Sequence, residues 1–563
     1  MTGLDHLIIL LYICAVTFAG WWAGKRGAAR TDAGSDHERF FLAGRNLSGW
    51  AAGTSMVATT LAADTPLVVA GLTLTKGVAG NWFWWAMAIS HVLTGVVLAR
   101  YWRRTGALTD AAFCEFRYSG NGAAFLRGLK AFYFAVPINC IVLGWVILAM
   151  QKVGSVVLPE IPETTLTVGL LVLVLFYSLR SGFHGVVATD LLQFPIALGG
   201  AILLAWMSID AAGGLGAVIE TTKLERGASS IAMFPAGSPA LPWESLIAFL
   251  GVQWWAQKNA DGGGILVQRL LATRSEKDAA IGGLWFCVAH YVLRPWPWIL
   301  TGLAAAILVP GAVEADPEAA YAALIIEVLP VGLRGLLVAA FLAAFMSTVD
   351  THLNWGASYL SHDLAERFGG VSPAKQKLVA RISVVVLACL AVLTASFMES
   401  IEGAWEFLIA FGAGSGATML LRWVWWRVSA WTETSAIIAS TVLSIGVYAL
   451  APDWAYLSKL AVIVLGSAAI WLTVTWKFPA DPAHAAKFYE KVLPPGPGWA
   501  QFRTPKSPTR SLGAEMRVWA IGSASIYSLL FGAGGLFLGS PMTGLALTFF
   551  GAVGIWHLSR RLA

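Results

Sequence analysis

The chain has 563 residues, of which 57% are hydrophobic and 12% charged, about half the roughly 25% charged content of a soluble domain. These figures exclude a disordered segment, a disulfide-stapled scaffold and an ordinary soluble enzyme, and they predict a polytopic protein of the lipid bilayer. The net charge of +6 reads as basic loops held on the cytoplasmic side, not as a nucleic-acid face.

Apolar runs predict fifteen spans, at 6–24, 48–75, 82–99, 131–151, 165–180, 186–208, 244–268, 279–308, 336–360, 382–398, 405–421, 432–451, 457–476, 517–538 and 543–559. No basic n-region precedes the first run, so it is kept as a span and not read as a signal peptide. The second span holds Ala62-Ala63-Asp64-Thr65-Pro66, where proline removes a backbone donor and frees a carbonyl upstream. The seventh holds Gln257-Lys258-Asn259-Ala260-Asp261-Gly262-Gly263-Gly264, whose three glycines after a polar run predict unwinding. Unwound backbone at membrane depth is tolerated only inside protein or beside a cavity. The two breaks lie five spans apart, in helices of opposite direction. That is the arrangement of a transporter binding site between two inverted halves, here spans 2–6 and 7–11.

Asp64, Asp190, Lys258, Asp261, Arg294 and Asp350 fall within or near the spans. Each costs a few kcal/mol at the bilayer centre unless paired or facing water, so together they predict an internal polar pathway. Arg294 cannot lose its charge and needs Asp261, Asp350 or a solute carboxylate as partner. His91 and His290 read as hydrogen-bonded packing residues. The outside segment from Glu314 to Glu327 reads as an amphipathic helix lying on the membrane. In the ninth span the adjacent hydroxyls of Ser347 and Thr348 have two readings: oxygen ligands for sodium, or bonds back to a carbonyl one turn earlier. The forty residues of 477–516, rich in Pro and basic side chains, are too few for a catalytic domain.

With the N-terminus outside and the C-terminus inside, 30 of the 38 Lys and Arg fall in inside segments, 6 outside, and Lys258 and Arg294 within spans. The bias supports that orientation. Cys14, Cys114, Cys140, Cys287 and Cys389 are too scattered for a metal site or a disulfide framework. No HExxH or GxSxG stands at active-site spacing, so the chain is not read as an enzyme.

Several ordered segments resemble the sodium:solute symporter family. They are Phe40 to Arg45, Ala62 to Thr65, Ser181 to Gln193, Gln268-Arg269 with Ala272 to Ala279, and Ala343-Ala344-Phe345-Met346-Ser347-Thr348. The resemblance implies an all-α fold with a LeuT-type five-plus-five inverted repeat. One helix (1–30) precedes the repeats (31–210 and 211–428). Two additional helices (429–476), a cytoplasmic loop (477–516) and a C-terminal hairpin (517–563) follow. It implies a sodium site formed by the carbonyls of Ala62, Thr65 and Ala344 with the hydroxyls of Ser347 and Thr348. Asp64 and Asp190 match acidic residues tied to sodium coupling and exit. The solute contacts expected from the residues themselves are Gln253, Gln257, Asn259, Asp261 and Arg294.

Two departures stand out. Pro66 replaces a small polar residue of the proline symporter, and Asn259 and Ala260 stand where the galactose symporter carries a sugar-contacting aromatic pair. The expectation is sodium-coupled symport of a small organic solute, amino-acid-like or carboxylated before sugar, in a bacterial inner membrane, with no obligate protein partner. Two rivals are a proton-coupled symporter using Asp64, Asp190 or Asp350, and a solute sensor. The sensor expects a signalling domain, for which 563 residues leave no room.

Overall fold

The computed structural model describes residues 1–29, 42–235, 241–504 and 511–562; the side chains of 20, 21, 23–29, 174, 176–184 and 373 also lie outside the description. Phe40 and Phe41 of the first resembling segment and the side chains of Ser181 to His184 are therefore outside it.

Helices stand where spans are expected. Helix α1 (Gly3–Ala29) leads to α2 (Gly49–Thr59) and α3 (Asp64–Lys76), which meet at 62°. Next come α4 (Val78–Trp85) and α5 (Ala88–Thr105), bent by 42°, the short α6 (Ala112–Arg117) and α7 (Gly120–Val157). Helix α8 (Glu163–Ala211) is followed by α9 (Leu215–Arg226), α10 (243–256), α11 (Gly263–Leu271) and α12 (Glu276–Leu308). Two short helices, α13 (Pro310–Ala315) and α14 (Ala320–Val328), precede α15 (Leu333–Glu366) and α16 (Pro373–Ala395). Helices α17 (Ile401–Gly412) and α18 (Gly416–Val424) form a third bent pair, at 46°. The chain ends with α19 (Ala430–Leu450), α20 (Tyr456–Lys477), α21 (Pro482–Val492), α22 (Leu512–Phe537) and α23 (Pro541–Leu562).

Among the described residues nine helices are long and apolar enough to cross a membrane, and twelve if each bent pair is one span. The other expected spans fall on α1, on the first part of α8 and on the broken pair α10/α11. Helix α15 sits at the centre, with 94% of its most apolar stretch buried against 17% for the peripheral α23.

Two expectations differ from the structure. The spans at 165–180 and 186–208 belong to one run of 49 helical residues. A helix of that length measures about 73 Å, more than twice a hydrocarbon core of about 30 Å, and its glycines, the Gly199-Gly200 pair included, cost about 1 kcal/mol each, too little to stop a helix. The segment from Glu314 to Glu327 does not lie on a surface. Tyr321, Leu324 and Ile325 are buried, and Lys152 bonds Asp316 at 2.5 Å and Glu318 at 2.8 Å. Glu318 accepts the backbone N–H groups of Ile401 at 3.1 Å and Glu402 at 2.8 Å, so an anion caps the N-terminus of α17.

Candidate functional site

The first break begins where α2 runs out of partners. The Thr60 hydroxyl bonds back to the Met56 and Val57 carbonyls, both at 3.1 Å, and the Thr65 N–H bonds Ala62 at 3.2 Å before α3 starts. Pro66 falls in the first turn of α3, where a missing N–H costs nothing. The last carbonyls of α2 are taken by side chains of other helices. Thr348 Oγ1 donates to the Thr59 carbonyl at 3.1 Å, and Arg294 Nη1 to the Thr60 carbonyl at 2.6 Å.

Arg294 therefore does not pair with Asp261 or Asp350, as its charge alone suggested. Its Nη2 meets His290 Nε2 at 3.0 Å and its guanidinium lies 5.3 Å over the Trp298 ring. A guanidinium only donates, so His290 Nε2 carries no proton and Nδ1 gives its proton to Thr60 Oγ1 at 3.0 Å. A neutral His290 and a charged Arg294 thus hold the broken end of α2 together. His91 is similarly engaged, with Nδ1 2.6 Å from the Tyr291 hydroxyl.

The second break follows Ala256. Gln257 is extended, the Ala260 N–H bonds the Gln257 carbonyl at 3.1 Å, and the Gly262 N–H bonds Asn259 at 2.9 Å. Gly262 (φ 119°) and Gly263 (φ 65°) then take left-handed backbone that a side chain would strain. The third break, Gly412-Ala413-Gly414-Ser415-Gly416, packs onto the second. Gly416 lies against the carbonyls of Trp255, Ala256 and Gln257, and Gly412 against the Lys258 stem.

Helix α17 touches both of the first two breaks. Trp405 Nε1 donates to Asp64 Oδ2 at 3.1 Å, leaving Asp64 Oδ1 buried without a partner among the described residues. Seven residues on, Gly412 meets Lys258. Seven residues are two turns, so both contacts lie on one side of α17, about 10 Å apart. Trp145 of α7 leans on Trp405 with ring centroids 6.1 Å apart.

The expected sodium and coupling residues gather beside the first break. Asp190 receives Ser347 Oγ and Ser55 Oγ, both at 2.5 Å, and lies 3.7 Å from the Arg269 guanidinium. Arg269 also donates to Thr59 Oγ1 at 2.9 Å and Thr351 Oγ1 at 3.1 Å. Ser347 thus bonds Asp190, and Thr348 bonds the end of α2. Ala344, Ala62 and Thr65 are buried in the same core.

The expected solute contacts divide. Gln253 is used internally: its Nε2 donates to the Phe83 carbonyl at 2.6 Å and its Oε1 accepts from Tyr456 at 3.1 Å. Gln257 reaches Ser90 at 3.3 Å. Asp261 accepts from Arg422 Nη2 at 2.6 Å and Trp423 Nε1 at 2.9 Å. Arg422 continues to Glu433 at 3.1 Å, which takes Lys130 at 2.9 Å. Asn259, half-buried, rests its side chain on Gly263. Lys258, Trp405, Ser55 and Arg269 are the residues that sequence reasoning did not assign to the site. Only the mid-span charge of Lys258 and the Gln268-Arg269 pair signalled any of them.

The sodium/glucose cotransporter of Vibrio parahaemolyticus is 24% identical over 471 residues, covering 78% of this chain and 84% of that protein. Human sodium/glucose cotransporter 4 is 24% identical over 434 residues, 70% of this chain, which spans 61% of that relative's length. A sodium-coupled sialic acid symporter, solved in a substrate-bound outward-open state, shares the fold at TM-score 0.68 and 20% identity, covering 85% of this chain and 99% of that one. These relatives are membrane transporters and not enzymes. The family model described as Sodium:solute symporter family matches residues 40–442, and with that match over most of its length the chain belongs to the sodium:solute symporter family.

Proposed function

We propose that this protein drives a small organic solute across a bacterial inner membrane by coupling it to sodium, through alternating access. The carrying observation is that the Asp64 break and the Lys258 end of the second break both touch one side of α17, about 10 Å apart, with the α15 hydroxyl of Thr348 bonded at the first. Two broken helices of opposite direction facing one space form a site reachable from either side in turn. In this reading 31–210 and 211–428 are the inverted repeats, with the N-terminus outside.

Sodium is taken by the carbonyls of Ala62, Thr65 and Ala344 and the hydroxyls of Ser347 and Thr348. What supports this is the Thr348 bond to Thr59, which brings α15 against the break. Asp190, already bonded to Ser347, then receives the ion as it leaves. Asn259, Gln257 and Arg294 face or support the solute, which is carboxylated or amino-acid-like before it is a sugar. Sodium and solute raise each other's affinity by the same factor.

The test is a thermal-shift screen of solutes with sodium or choline, followed by uptake into proteoliposomes under an imposed sodium gradient. Solute-induced stabilisation and uptake that both require sodium are expected. A second reading has one specific observation in its favour, the unpartnered Asp64 Oδ1, which could carry a proton. Uptake that follows a pH gradient and ignores sodium would replace the first reading with the second.

A further inference from the structure

Nine Lys and Arg side chains are buried among the described residues: Arg100, Arg117, Arg127, Lys130, Lys258, Arg269, Arg294, Arg422 and Lys459. Eight of them have acceptors. Arg269 meets Asp190, Arg422 meets Asp261 and Glu433, Lys130 meets Glu433, and Arg127 meets Glu115 and Asp363. Arg100 lies near Glu515, and Arg117, Arg294 and Lys459 donate to backbone carbonyls. Lys258 is 7% exposed, yet among the described residues its ammonium forms no hydrogen bond and no ion pair. It stands in the unwound stretch of the second break, its stem laid along Gly412. The glycine is what admits that stem, since any side chain there would occupy its place.

A buried lysine without an anion is costly as an ammonium and tends to give up its proton instead, so an arriving anion gains by restoring the charge and pairing with it. A fold that satisfies eight buried cations and strands the ninth at the unwound centre of its transport site leaves that charge for something that arrives. We propose that Lys258 is the anion contact of the solute site and that the transported solute carries a carboxylate. The inference rests on the symporter reading and narrows its substrate class. One unpaired positive charge balances one negative charge, which fits a carboxylate and not a phosphate, whose charge near −2 calls for a second cation. A neutral sugar would offer the lysine no charge to pair with even in the loaded state.

The experiment uses the full chain in detergent with sodium present and measures thermal stability. The probes are acetate, L-lactate, L-proline and D-gluconate, each beside its amide. In the wild type at least one carboxylate raises the melting temperature while its amide does not. In Lys258→Met and Lys258→Gln that shift is lost, with the apparent Kd weakened by about 10- to 100-fold, as for a removed charge-assisted contact. Without solute, Lys258→Met melts higher than the wild type, because the costly buried group is gone. The proposal is overturned if Lys258→Met melts lower, if an amide stabilises as well as its acid, or if no carboxylate distinguishes wild type from the variants. A repeat in choline separates the two readings. Carboxylate binding that needs Lys258 but not sodium keeps this inference and removes the coupling. Sodium-dependent binding of a neutral solute does the reverse.

Discussion

Replacing Asp261 by Asn asks whether the second break is clamped by α18 or open to solute. Asp261 Oδ2 takes Arg422 Nη2 at 2.6 Å, Arg422 Nε at 3.2 Å and Trp423 Nε1 at 2.9 Å, and the Arg422 and Asp261 side chains are 1% and 2% exposed. Removing one partner of a buried ion pair costs about 3–5 kcal/mol. The amide keeps an acceptor oxygen and Arg422 keeps Glu433 at 3.1 Å, so about 2 kcal/mol is expected for Asp261→Asn. Arg422→Met takes the shared cation from both carboxylates and leaves Asp261 with only Trp423 Nε1 as a side-chain donor among the described residues. Glu433 retains Lys130 and the Tyr118 hydroxyl at 2.5 Å, so the expected cost is about 4 kcal/mol. In the double variant the carboxylate and the guanidinium are both gone, neither is left bare, and the total falls short of the sum by about 1.5 kcal/mol. Denaturant unfolding of the solubilised protein in sodium without solute measures all three. Additivity within about 0.5 kcal/mol would refute the clamp. So would Asp261→Asn leaving stability intact while abolishing solute-induced stabilisation, which would return Asp261 to the solute.

Four further outcomes are expected. Arg294→Met leaves the Thr60 carbonyl and His290 Nε2 unpaired and destabilises by about 2–4 kcal/mol in the same assay, with or without solute; an effect seen only with solute present would make Arg294 a solute contact. Ser347→Ala and Thr348→Ala each raise the sodium concentration for half-maximal uptake by about tenfold or more, and unchanged sodium dependence would place the ion elsewhere. Burial lifts the Glu115 carboxyl, but hydrogen bonds from Arg367 and Arg127 outweigh it and hold the group below the usual carboxylate range. Its contribution is therefore full above the unfolded value of about 4.3 and disappears as pH falls through the folded one, so a Glu115→Gln variant loses less stability than wild type on acidification below about pH 4. Glu318→Gln weakens the cap on α17, and labelling of a cysteine placed at Trp405 in a background without the five native cysteines is expected to accelerate; an unchanged rate would count against the cap as a tie.

How far the site was legible depended on whether a residue's chemistry was local. The first break was readable because Asp64 and Pro66 are each wrong for a lipid-buried helix interior, and the second because a polar run precedes three glycines. The third was not, although Gly412, Gly414 and Gly416 lie in plain order. Glycine is frequent in membrane helices, and what makes these three matter is close approach from distant parts of the chain: Lys258 on Gly412, Ser440 and Ser467 on Gly414, and the carbonyls of Trp255, Ala256 and Gln257 on Gly416. The fold's helices were readable from apolar length. The buried ion pairs were not, because a charge does not name its partner. Lys130 and Arg422 counted as loop residues that set orientation, yet they sit beneath Glu433 with 1% exposure. Asp261 and Arg294 looked like candidates for each other, and each found a different partner. The segment from Glu314 to Glu327 looked like a surface helix because periodicity shows that one face is polar, not whether a neighbour answers it; Lys152 and the α17 N-terminus do.

The ties on the α17/α18 pair are unequal at its two ends, and this bears on how the site opens. At the Ile401 end Lys76 pairs with Glu402, their side chains 33% and 26% exposed, and Lys152, itself 15% exposed, pairs with Asp316 and Glu318. The part-exposed Lys76–Glu402 pair contributes about 0–1 kcal/mol, and one dry tie, the Glu318 cap on Ile401 and Glu402, stands beside it. At the Val424 end the ties are dry. Arg422 is held by Asp261 and Glu433, Arg117 donates to the Arg422 carbonyl at 3.3 Å, and Trp499 Nε1 donates to Trp423 at 2.9 Å from the segment after α21. Separating the dry end uncovers charges that cost several kcal/mol apiece unless water reaches them. The Ile401 end is therefore the cheaper one to open from this state. Separating the Val424 end demands a compensating gain elsewhere, and under the proposal that Lys258 takes the solute's carboxylate, binding at the second break supplies one. In that proposal, binding at the breaks and release of the dry end are linked through one helix pair, with Gly412 to Gly416 as the joint.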